Sequence, residues 1–180
     1  MNTLAIDGKP LRKFGPITLG IGTLLTVLGI VGITFPILMS FGTTLFVSWL
    51  LIIGGALWAF HTYQYSPKVI LDWLKPALLI LTGFSLLFYP IAGVKAVGLL
   101  LAIYLLLDAF GSFALAQSIH PVVGWGWMTF NGVTSMLLAL LFLIGWPSTS
   151  LWLVGLYVGI ALLFDGLTLL AIGWALRKSL

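Results

Sequence analysis

Cysteine and glutamate are both missing from this 180-residue chain. Without cysteine there is no disulfide framework, no thiolate nucleophile and no thiolate metal site. The acidic residues number four, all aspartate, and there are two histidines, so few groups remain to move protons or ligate a metal. Charge is scarce altogether, at 7% of residues against roughly a quarter in an ordinary soluble domain. The serines and threonines fall in no Gly-x-Ser-x-Gly elbow, and no His-Glu-x-x-His motif occurs. Gly20-Ile21-Gly22 lies inside an apolar run and not in a phosphate-binding loop. These gaps argue against an enzyme: no catalytic residue, cofactor or metal is expected. The formal charge of +4 does not indicate nucleic acid either, because the basic residues flank apolar runs and form no patch.

What the chain does have is apolar surface. Hydrophobic residues make up 61%, too many for a wettable exterior around one core, so the expected surroundings are a lipid bilayer. Six segments, near 14–35, 38–60, 71–89, 94–117, 125–146 and 150–176, are long enough to cross about 30 Å of hydrocarbon at about 1.5 Å per residue. The first follows Lys9, Arg12 and Lys13 as a secretory signal would. Its apolar run is too long for a signal, and no small-x-small cleavage site follows, so it reads as a transmembrane helix. With the N-terminus inside, Lys9, Arg12, Lys13, Lys68, Lys75, Arg177 and Lys178 are all cytoplasmic and Lys95 alone is outside. That asymmetry predicts cytoplasmic termini. Trp58, Trp73, Trp125, Trp127 and Trp174 mark the inner boundary, and Trp146 and Trp152 the outer one, as an aromatic belt. The longest internal connection expected is His61 to Lys75. No loop could fold separately, so residues 1–180 read as one membrane domain, with 1–13 a short cytoplasmic basic segment.

Within that domain one motif is written three times: an aromatic residue, proline, then an apolar helix with small residues at fixed places. Phe35-Pro36, Tyr89-Pro90 and Trp146-Pro147 each separate two spans. Counted from the prolines, offset +8 holds Thr44, Gly98 and Gly155, and +12 holds Ser48, Ala102 and Gly159. Offset +19 holds Gly55, Ala109 and Gly166, and +26, less strictly, Thr62, Ala116 and Gly173. The fold class expected is all-α: a polytopic bundle of six transmembrane helices built from three parallel two-helix hairpins, about 14–60, 71–117 and 125–176. Hydrocarbon gives little drive to helix association, so close packing through small residues has to supply it. Gly98, Ala102, Gly155, Gly159, Gly55 and Gly166 are therefore the expected helix-packing residues. Gly29 and Gly83, each seven before its proline, extend the pattern to the first helices, where the third repeat has Leu140. The prolines themselves read as turn signals. Parallel repeats without midplane proline differ from the inverted, broken-helix repeats of many transporters.

Offset +18 is the sharpest candidate site: Gly54, then Asp108, then Asp165. An intramembrane carboxyl group costs about 2.5–3.5 kcal/mol on insertion scales, so it should face the protein or a wet cavity. Tyr104 and Ser112 lie four residues either side of Asp108, Thr168 lies three after Asp165, and Asn131, Thr134 and Ser135 on the fifth helix or Thr82 and Ser85 on the third are within reach of a neighbour. Two readings stand. In one, the aspartates are proton-sensitive, because desolvation and like charge favour a protonated carboxyl. In the other they are polar links bonded to hydroxyls on adjacent helices. His61 and His120, at inner helix ends, have the titration range of a pH switch but no ligand spacing with Asp72.

Laid out this way, the chain resembles the HdeD family of small bacterial acid-resistance membrane proteins over about residues 12–176. The shared features are six helices as three hairpins, the turn Gly29-Ile30-Val31-Gly32-Ile33-Thr34-Phe35-Pro36, and the paired-glycine stretch Leu51-Ile52-Ile53-Gly54-Gly55. The resemblance implies a bacterial inner membrane location and a link to acid stress, and it supplies no catalytic or binding residue. The function expected is a non-enzymatic inner-membrane protein contributing to acid or envelope stress tolerance. The alternatives are a small transporter or channel with a proton-linked pathway at the aspartates, and a scaffold whose small-residue stripes bind other membrane proteins or a second copy.

Overall fold

The computed structural model describes residues 9–178, with side chains over residues 16–177. Much of the basic N-terminal segment 1–13 lies outside the described residues, as do the side chains of Lys9, Arg12, Lys13 and Lys178. The described residues are all-α, in six helices: α1 (Lys9–Thr34), α2 (Pro36–Tyr65), α3 (Ile70–Phe88), α4 (Pro90–Ile119), α5 (Trp125–Ile144) and α6 (Ser150–Lys178). Each contains a stretch long and apolar enough to cross a membrane. Helix is the required answer for such segments, because in hydrocarbon every backbone N–H and C=O must find its partner within the segment.

Two of the three hairpin turns are tighter than the sequence spacing predicts, and the third, at residues 145–149, is longer than the 147–149 expected. Phe35 alone separates α1 from α2, and helix-like hydrogen bonds continue across it, Phe35 N–H to Val31 O at 2.8 Å and Met39 N–H to Phe35 O at 3.1 Å. Pro36 and Pro90 each open a helix, where a missing N–H leaves nothing unsatisfied. Tyr89, before Pro90, is pushed out of the helical region to φ −122° and ψ 65°. The connection expected from His61 to Lys75 shrinks to residues 66–69, since α2 carries on through His61 to Tyr65.

Packing divides the chain into two compact units. One is Ser40–Val154; the other joins the stretch ending at Met39 to the stretch beginning at Gly155. In the first unit the even-numbered helices meet at their starts. The Ser40 hydroxyl donates to Leu151 O at 2.8 Å. A Cβ on Gly93 would lie 2.5 Å from Thr44 Cγ2, and one on Gly98 would lie 2.9 Å from Ser150 Cβ. Val94, Val154, Ser40, Thr44, Ser48 and Ser150 are fully buried there. Thr44 and Ser48 satisfy their hydroxyls on carbonyls one turn back, at 3.0 and 2.8 Å; Ser150 Oγ has no partner among the described residues. Helix α3 packs on α2, where a Cβ on Gly83 would lie 2.9 Å from Ser48 O. Helix α5 packs on α4, where one on Gly132 would lie 2.8 Å from Phe113 Cε1.

In the second unit α1 packs on α6 with backbones nearly touching. A Cβ on Gly29 would lie 2.5 Å from Leu163 N, one on Gly32 2.7 Å from Gly159 Cα, and one on Gly166 2.5 Å from Thr26 N. A single wiring rule follows. The second helix of one repeat packs on the first helix of another, as α2 on α3, α4 on α5 and α6 on α1. The register also repeats: Gly29 against Leu163 corresponds to Gly83 against Ile52, and Gly22 against Leu170 corresponds to Gly132 against Phe113. Residues at +8, +12, +19 and +26 are buried in all three repeats. The third repeat slips by one residue in its first helix, because α5 stops at Ile144, three before its proline, while α1 and α3 stop two before theirs. Leu140 is consequently 43% exposed, and Ala139 takes the fully buried place that Gly29 and Gly83 hold.

Candidate functional site

Asp108 lies on α4, half-buried against α5, and three polar side chains gather there. The Ser135 hydroxyl donates to Asp108 Oδ2 at 2.6 Å, and Asn131 Nδ2 donates to the same oxygen at 3.2 Å. The other Asn131 proton goes to Ser112 Oγ at 2.9 Å, so the amide bridges two residues one turn apart on α4. Ser112 and Ser135 are each only 6% exposed, while Asn131 closes the cluster from its exposed side. Local sequence explains the placement. Ser135 lies three residues after Gly132, whose missing side chain lets α5 come down onto the Phe113 ring. Asn131 and Ser135, four residues apart, then stand one above the other on the helix face that meets Asp108.

The remaining candidate partners are elsewhere. Tyr104, one turn before Asp108, is 56% exposed and makes no hydrogen bond to it. A tyrosine ring standing off the helix cannot fold back onto a carboxylate of its own helix when that carboxylate faces the neighbour. Thr134 and Ser85 donate to carbonyls one turn back, Phe130 O and Leu81 O.

Asp165 occupies the same place in the third repeat and has none of this company. It is exposed, and among the described residues it has no hydrogen-bond or ion-pair partner. Thr168 turns its hydroxyl to Phe164 O at 2.8 Å. By the shared register, the positions of Asn131 and Ser135 correspond on α1 to Ile21 and Leu25. The two aspartates are thus not brought into one site. They sit at equivalent seams, one furnished with donors and one apolar.

The first repeat has Gly54 at this level, and a Cβ there would meet nothing within 4 Å. What the sequence reading missed is the group opposite it. Lys75 on α3 corresponds in register to Asn131, and its Nζ lies 3.4 Å from the centroid of the Trp58 ring on α2, a cation–π contact. Residues 58 and 75 fall on different helices, so only the register of the repeats could have paired them. His61 lies beside Tyr65, ring centroids 4.6 Å apart, and His120 meets the Trp125 ring edge-on at 4.8 Å. Among the described residues no three His, Cys, Asp or Glu side chains gather as a metal site would require.

Chemically, the Asp108 cluster is a proton-accepting oxygen held by two donors from a neighbouring helix. The two donors make it a polar link across the α4–α5 seam. A family model described as a short repeat of unknown function (DUF308) matches the chain three times, over residues 20–78, 74–144 and 131–180. No curated protein and no solved structure matches it.

Proposed function

We propose, for a chain that belongs to the DUF308 short-repeat family, a non-enzymatic, HdeD-like role in the bacterial inner membrane, contributing to acid or envelope stress tolerance through proton-sensitive helix packing. The observation that carries this reading is the pair of donors on one Asp108 oxygen, Ser135 at 2.6 Å and Asn131 at 3.2 Å, both from α5. Hydrogen bonds to an ionised carboxylate are roughly twice as strong as neutral ones. Protonation of Asp108 would weaken both contacts together and loosen the α4–α5 seam as acidity rises. The seam therefore has two strengths, chosen by one proton. Asp165 carries the same chemistry without the donors, so in this reading it is the weaker sensor.

The test is acid survival of a deletion strain complemented with the parent chain or with Asp108→Asn. The parent should restore survival, and the Asn variant, folded and inserted but unable to titrate, should not. Equal survival with the two chains sinks the reading. Titration of the purified protein, followed by its carboxyl infrared bands, gives an independent check: a band assigned to Asp108 by its loss in Asp108→Asn should change with pH.

A further inference from the structure

Two of the three equivalent seams hold a charged side chain with neither a hydrogen bond nor an ion pair among the described residues. On α6, Asp165 presents an exposed carboxyl group more than three helical turns from the end of the helix at Lys178. Facing lipid alone, such a group costs about 2.5–3.5 kcal/mol, and residues of this kind pair with something. On α3, Lys75 is exposed with its ammonium over the Trp58 ring; among the described residues it makes no ion pair, and Asp72, nearly one turn away, does not supply one.

The two groups are matched in register. Gly29 against Leu163 corresponds to Gly83 against Ile52, and Gly22 against Leu170 to Gly132 against Phe113, so Lys75 stands where Asn131 stands in its own seam. Asn131 is the side chain that reaches the carboxylate at +18. Lys75 is thus placed to meet an aspartate at +18, yet its own seam has Gly54 there, with open space in place of a side chain. Beside it is a cleft of about 400 Å³ lined by Leu51, Leu71, Leu74, Lys75, Leu78 and Thr82, among others. The α2–α3 seam is a cradle with an ammonium and no carboxylate at +18. The α6 face is a carboxylate with no cation.

We propose that two copies of this chain associate in the membrane, with Asp165 of one copy docking at Lys75 in the α2–α3 cleft of the other. Each group belongs to the same level of its repeat, so a second copy inserted with the same orientation offers one to the other across lipid. Lys75 stands between this apolar cleft and a more polar one that His61, Thr62 and Asp72 help to line, which suits a contact made at the inner edge of the bilayer. The interaction is directional, joining an α6 face to an α3 face, and does not depend on the acid-tolerance reading.

The experiment is Förster transfer between donor- and acceptor-labelled copies of the full chain in phosphatidylethanolamine–phosphatidylglycerol vesicles, over a dilution series in lipid. Asp165→Asn and Lys75→Met should each weaken association by roughly threefold to fifteenfold, the range of interhelical polar contacts in membranes. The decisive arm uses charge reversal. Asp165→Lys alone and Lys75→Asp alone should each fail to self-associate. Mixing the two chains should restore transfer, because the ion pair re-forms across copies with its signs exchanged. Parent-like self-association of either reversed chain, or no transfer on mixing, overturns the proposal. Should the reversed chains not yield folded protein, unchanged association of both milder variants overturns it equally. Transfer lost with Asp165→Asn but kept with Lys75→Met also rules out this pairing and leaves an α6–α6 contact.

Discussion

The α4–α5 seam and the α6–α1 seam are built on the same register and hold the same carboxylate, yet they solve opposite problems. In the first, Gly132 admits the Phe113 ring, and the odd helix offers Asn131 and Ser135 to Asp108. In the second, Gly22, Gly29 and Gly32 admit the backbone of α6 itself, and the facing positions Ile21 and Leu25 are apolar. One seam is held partly by hydrogen bonds and the other by close approach of main chains. Copying a hairpin thus preserved where helices touch while leaving open what holds them together.

The comparison breaks most sharply at the glycines. Gly159→Leu should destabilise the α6–α1 seam by about 3 kcal/mol, the upper part of the usual range for overpacking, because the new side chain meets the Gly32 backbone. Sodium dodecyl sulfate unfolding in mixed micelles reads the loss. Gly20→Ala and Gly111→Ala, one on a helix of each seam and both with open space around them, should change the same measurement by under about 1 kcal/mol and in the stabilising direction. A large loss from either would mean that these faces are covered.

Next in size is the contrast between the aspartates. Asp108→Ala removes the acceptor of two hydrogen bonds and should cost about 1–2 kcal/mol, whereas Asp165→Ala removes an unpaired carboxyl and should leave the monomer unchanged or more stable. The same unfolding assay, run at lipid dilution where copies are apart, separates them. Equal losses would dissolve the distinction drawn between the seams.

The smallest effect is constructive. Ile21→Asn with Leu25→Ser would give α1 the donors that α5 carries, and should stabilise α6–α1 by roughly 0.6 kcal/mol through Asp165. The gain should vanish when Asp165 is also replaced by Ala. A gain that survives that replacement would come from somewhere else.

Much of this architecture was legible because lipid simplifies the code. Where every helix face is apolar, size is the remaining contact signal, so glycine, alanine, serine and threonine at +8, +12, +19 and +26 mark the buried stripe directly. The same uniformity hides orientation. Nothing in the apolar periodicity tells that Tyr104 stands away from Asp108 while Asn131 and Ser135 face it, since that depends on which odd helix an even helix meets. The one-residue slip of α5, which puts Ala139 rather than Leu140 at the contact, depends on the helix stopping at Ile144, and the aromatic-Pro spacing does not report it. Asp108 and Asp165 look equivalent along the chain and differ through what faces them: Asn131 and Ser135 in one seam, Ile21 and Leu25, more than a hundred residues away in sequence, in the other.

The pairing of α1 with α6 has a consequence for biogenesis. Leu163 follows Gly29 by 134 residues, and at about 5–20 residues per second of translation the ribosome needs on the order of ten seconds to deliver it. Through that interval the earliest span waits in the bilayer with its glycine notches unfilled, while α2 can meet α3 almost as soon as it emerges. Any insertase or membrane chaperone that attends this protein has its longest task at the first helix, and a nascent chain that stalls before the last one releases an intermediate with that groove still open.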